Sequence, residues 1–95
     1  MKLFSADELE LITDYAHDLM SWKDIAYLLQ VPVGEFKMIF DNPRSSVHLA
    51  YQKGRVKRKH ELRKPILSMA SKGSPQAEML AVRFLDEQFL DETDD

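Results

Sequence analysis

Cysteine is absent from the 95 residues, and glycine and proline number only three and four. Without thiols there are no disulfides and no thiolate chemistry, and a zinc site would have to be built from histidine and carboxylates. No stretch approaches the ~18 consecutive apolar residues of a membrane span, and no apolar leader precedes a cleavage site. A cytoplasmic protein with no membrane partner is the resulting expectation. His17, His48 and His60 lie on separate segments without ligand spacing. Gly34, Gly54 and Gly73 form no phosphate-cradling loop, and the serines precede helical patterns instead of sitting in a nucleophile elbow. The carboxylates Asp86, Glu87, Asp91 and Glu92 belong to an acidic terminus. A non-enzyme with no metal and no cofactor is therefore expected.

What the chain has is charge in blocks. Apolar residues make up 44% and charged residues 31%, a globular balance for one small domain or a domain with an arm. The net charge of −3 hides a dipolar layout. Residues 44–72 hold Arg44, Lys53, Arg55, Lys57, Arg58, Lys59, Arg63, Lys64 and Lys72 against Glu61 alone, a balance of +8. The flanking segments 1–43 and 73–95 carry −5 and −6. Such a concentration of positive charge calls for a polyanion or a neighbouring acidic surface. The sequence pI near 5.6 places any DNA contact in that local patch.

The pattern predicts an all-α fold. Ser5-x-x-Glu8 is a capping box, with Phe4 and Leu9 placed as a hydrophobic staple, and Leu9, Ile12, Ala16 and Leu19 follow helical spacing. Ser21-x-x-Asp24 caps a short second helix with Ile25, Leu28 and Leu29 inward, stopped by Gln30-Val31-Pro32. A third helix from about Val33 buries Phe36, Ile39 and Phe40 and ends before Asp41-Asn42-Pro43. Together these make a three-helix, helix-turn-helix domain over 1–43, with Ala26 early in the pair, Val31 plugging the turn and Phe36 anchoring its second helix. The exposed side of that second helix offers Gly34, Glu35, Lys37, Met38 and Asp41, so Lys37 is its one evident base-reading donor.

Ser45 or Ser46 caps a longer helix with a stripe of Val47, Ala50, Tyr51, Gly54, Leu62, Ile66 and Met69, and Arg58 falls on the same line. From Arg55 to Glu61 only Val56 is a sizeable apolar residue, so this portion meets solvent or a partner. Pro65 predicts a kink or break near Lys64. Gly73 closes the helix and Ser74-Pro75 opens the last one. Its stripe is Ala77, Leu80, Ala81, Phe84 and Leu85, while Met79, Val82 and Phe89 lie off it. An apolar surface that wide suits a helical hairpin over 44–90 that self-associates through Met79, Leu80, Val82, Phe84 and Phe89. Residues 91–95 read as an acidic, disordered tail.

From about Trp22 the sequence resembles the small terminase subunits of tailed bacteriophages and their prophage relatives. The residues that carry the resemblance are Trp22-Lys23-Asp24-Ile25-Ala26-x-Leu28-Leu29 with Val31 and Phe36, then Ala50-Tyr51-x-x-Gly54-Arg55, Glu61-Leu62-Arg63, Met69 to Pro75 and Ala77 to Phe84. The resemblance implies a DNA-recognition subunit of a packaging motor: a DNA-binding N-terminal domain, an oligomerising hairpin, and a C-terminal contact to a large ATPase/nuclease subunit. Gln30 departs from the glycine usual in the turn, and Pro32-Val33-Gly34 replaces a polar cap.

Three readings follow. In the first, double-stranded DNA is gripped by Lys37, Arg44, Lys53, Arg55, Lys57, Arg58, Lys59, Arg63 and Lys64, in a homo-oligomer of the small-terminase type. In the second, a scaffold module binds no nucleic acid and sets its basic helix against the acidic end of another copy. A helix-turn-helix transcriptional regulator is the third.

Overall fold

The computed structural model describes residues 3–93 and is helical in five segments. Helix α1, Ala6–His17, begins where the Ser5 and Glu8 side chains and backbones exchange hydrogen bonds of 3.1 Å. Ile12 and Ala16 are fully buried on its inner face. Leu19, expected on that face, is instead exposed: with φ at +66° it occupies the left-handed position that ends α1, which turns its side chain off the stripe.

Helix α2, Trp22–Leu28, is capped by Ser21, whose hydroxyl accepts from the Asp24 N–H. Ile25, Ala26 and Leu29 occupy one arc of this helix and pack inward, while Leu28 lies roughly 60° beyond the edge of that arc and is exposed, contrary to the sequence expectation. The turn after α2 is made by Gln30 in the left-handed region, φ +58°. Its geometry brings the Val31 N–H to the Ala26 carbonyl at 3.0 Å and buries Val31. Helix α3, Val33–Phe40, follows and packs on α2, with Phe36 and Ile39 buried.

Phe40, at the end of α3, joins the start of the helix that follows to this core. Its ring stacks on Trp22 at 5.9 Å, lies 6.4 Å from Phe36, meets Tyr51 edge-on at 4.8 Å and sits 5.7 Å from His48. The His48 Nδ1–H donates to the Phe40 carbonyl at 2.9 Å, and the Ser45 hydroxyl donates to the Ile39 carbonyl while accepting from the His48 N–H. Because Phe40 is only half-buried, Phe40→Ala is expected to cost about 2–3 kcal/mol, at or just below the usual range for core aromatics. The expected drop of roughly 10–20 °C in the melting temperature is read by circular dichroism.

Helix α4, Ser46–Ser71, contributes to both compact units of the chain, which divide between Lys59 and His60. The N-terminal unit therefore extends past the boundary expected at residue 43. The reason is local: Val47 and Gly54 are buried, and Ala50 and Tyr51 pack against the core formed by α1 to α3.

In the second unit, 60–95, α4 runs unbroken through Pro65, so of the kink or break expected there the break does not occur. Gly73, at φ +90°, ends α4, and the Ser74 hydroxyl caps α5, Pro75–Thr93. Among the described residues of this unit Ala77 alone is buried, and Leu62 and Met69, expected on a buried stripe, are exposed. Of the tail expected to be disordered, Asp91, Glu92 and Thr93 continue α5, where Gln88 Nε2 donates to the Glu92 carboxylate one turn on. Asp94 and Asp95 lie outside the described residues.

Candidate nucleic-acid interface

The first half of α4 is held against α1 at unusually short range. A Cβ built on Gly54 would fall 2.9 Å from the Ala16 Cβ and 3.0 Å from the His17 nitrogen, and would collide with the Thr13 carbonyl. Next to this approach the Thr13 hydroxyl, 3.1 Å from both carbonyls, shares its hydrogen between Leu9 in its own helix and Ala50 of α4. Arg55 adds a further tie, donating from Nη2 to the Met20 carbonyl at 3.2 Å with its guanidinium 5.1 Å from the Tyr51 ring centre. The residues that carry positive charge here therefore stand on a helix fixed to the three-helix core.

The cations expected to bind DNA separate into two kinds. In the N-terminal unit Lys53, Lys57 and Lys59 are exposed, and Arg44 is exposed on the loop before α4. Lys37 is also exposed, with its ammonium 2.9 Å from the Asp41 carboxylate one turn along α3. Arg58 is half-buried, as its position on the apolar line of α4 implies. Arg55 is half-buried and committed to Met20 and Tyr51. In the second unit Lys64 is exposed, but Arg63 is half-buried, pairs with Glu87 at 2.9 Å and covers the Phe84 ring at 4.6 Å. Arg55 and Arg63 act as cross-links within their units. Their sequence positions, on the packing side of α4 as Arg58 is, carry a signal of that role which charge alone does not show.

Lys53 and Lys57, one helical turn apart, form one edge of an open groove of about 480 Å³ between α1 and α4. Glu10 and Asp14, also one turn apart, form the opposite edge, with Leu49 and Ala50 on its apolar lining. No ion pair joins the two edges among the described residues. The groove is thus acidic on one side and basic on the other.

The face of α3 presents Gly34, Lys37, Met38 and Asp41 to solvent, with Glu35 half-buried and Met38 73% exposed. An exposed thioether and a lysine held by an aspartate give this face little hydrogen-bonding reach toward base edges. Of the residues expected to self-associate, Met79, Val82 and Phe89 are well exposed, Leu80 less so, and Phe84 is half-buried under Arg63. No helix among the described residues is long and apolar enough to cross a membrane, and these residues include no three-member cluster suited to a metal ion. The fold is all-α, with a helix-turn-helix unit at its N-terminal end. No protein-family model, curated protein or solved structure matches the chain.

Proposed function

We propose that this chain is a non-catalytic, self-associating DNA-binding module of the small-terminase type, acting in the cytoplasm and gripping the phosphate backbone of a duplex. The observation that carries the reading is the set of exposed lysines, Lys53, Lys57 and Lys59, on a stretch of α4 fastened to the helix-turn-helix unit at Gly54. Long cationic side chains on a rigid support are suited to phosphates, which position a protein on DNA without encoding sequence. Lys37 and Arg44 extend the set, and any sequence preference arises from Lys37 or from the shape of the duplex. The resemblance adds a partner, a large ATPase/nuclease subunit, for the C-terminal residues 89–95.

Titration of a labelled duplex at several salt concentrations tests the proposal. Three to four phosphates neutralised per chain predict a slope of log affinity against log salt of about −3 to −4. Absence of binding at ~50 mM salt rejects it.

One contact favours the scaffold reading. Arg63 and Glu87 show that a cation from the basic segment finds an anion of the acidic one within the second unit. On that reading the duplex titration is flat, and raising salt loosens the assembly.

A further inference from the structure

Lys53, Lys57 and Lys59 share α4 but not the same surroundings. At 100° per residue Lys59 lies about 120° round the helix from Lys53 and about 160° from Lys57. Lys53 and Lys57 border the groove between α1 and α4, and Glu10 and Asp14 border it from the other side. All four side chains are exposed, and none of these two ammoniums and two carboxylates is in an ion pair among the described residues. The groove's volume of about 480 Å³ is that of a sphere roughly 10 Å across, close to the Debye length at ~0.1 M salt, so charges on its two edges attract across it at low salt. Lys59, on another side of α4, has no such facing acids in the groove.

We infer that Glu10 and Asp14 restrain the phosphate grip of this chain, acting on Lys53 and Lys57 and not on Lys59; the inference rests on the duplex-binding reading above. In the free protein the two carboxylates stabilise the two ammoniums across the groove, and that attraction is lost when the lysines turn to phosphate. In the complex, phosphates beside Lys53 and Lys57 also stand near two anions of α1, which repel them. Both effects weaken binding, and neither needs a hydrogen bond between the edges. Lys59 meets phosphate without that cost. A single grip kept weak in this way leaves firm binding to several copies engaged on one duplex, because linked sites bind at high effective concentration.

Glu10→Gln with Asp14→Asn removes both negative charges and almost no volume. At ~50 mM salt the full chain carrying both changes binds a labelled duplex roughly three- to tenfold more tightly than the wild type, as expected of two exposed charge contacts. The gain shrinks at ~300 mM salt, where screening shortens the reach of exposed charges. It persists in a Lys59→Gln background and disappears in one carrying Lys53→Gln and Lys57→Gln, because it is coupled to those two lysines. A gain of the same size in both backgrounds is an effect of net charge alone and overturns the restraint. So does a wild type that binds the duplex while the Glu10→Gln/Asp14→Asn variant binds no tighter, and the duplex-binding reading then stands. Absence of duplex binding by both proteins overturns the restraint and that reading together.

Discussion

Gly54→Ala lowers the melting temperature of the N-terminal unit by roughly 10–20 °C, a loss of about 2–3 kcal/mol, although alanine is the better helix former. In an ordinary helix interior the exchange gains up to ~1 kcal/mol, because alanine has less backbone entropy to lose. At residue 54 the added methyl meets the backbone of α1 at Thr13 and His17 and the Ala16 methyl. Backbone atoms inside a helix cannot swing aside as a side-chain end can, so α4 must move off α1. That displacement strains the Thr13 contact to Ala50 and the reach of Arg55 to Met20. Gly34→Ala provides the control, because nothing lies within 4 Å of a Cβ there and its helical position predicts a gain of up to ~1 kcal/mol. Thermal melts of the two variants should move in opposite directions. Equal shifts, or a stabilised Gly54→Ala, would remove the close approach of α1 and α4 from the account.

Replacing Lys53, Lys57 and Lys59 together by glutamate abolishes duplex binding while the helical content stays unchanged. Each lost phosphate contact reduces the salt slope by about 0.9, so the triple variant forfeits most of the expected −3 to −4, and the added repulsion lowers affinity at least ~100-fold at low salt. The three side chains are exposed, so their reversal leaves the core untouched. Arg55 and Arg63 are unsuited to the same experiment. Arg55→Glu would put a carboxylate beside the Met20 carbonyl, and Arg63→Glu would set one against Glu87. Either change confuses lost structure with lost binding. Fluorescence anisotropy with a labelled duplex, beside a circular dichroism spectrum, gives the answer. Unaltered affinity in the triple variant would move the interface away from α4.

The helices and their starts were legible because caps are local. Ser5, Ser21 and Ser74 each bond a backbone N–H three residues on, as their spacing indicates, and of Ser45 and Ser46 it is Ser45 that does the same for α4. The stripe residues Ile12, Ala16, Ile25, Phe36 and Val47 were legible for the same reason, since helical period fixes which side they share. Leu19 and Leu28 escaped because their surroundings depend on where a helix stops and how wide its buried arc is. Pro65 signalled a kink or break, yet proline removes a single N–H from a long helix, and α4 carries on without a break. At the candidate interface the positive charge was plain, but charge does not tell a cation facing water from one spent on a carbonyl or a ring. Arg55 and Arg63 proved to be of the second sort, and only the packing of their neighbours reveals it.

The tryptophan at position 22 is the only one in the chain, and its indole is layered against Phe40. Its emission is therefore a private optical channel for the N-terminal unit, while far-ultraviolet dichroism averages over every helix. Followed together through a denaturant series, the two signals tell whether the halves melt as one or in succession, with no dye attached.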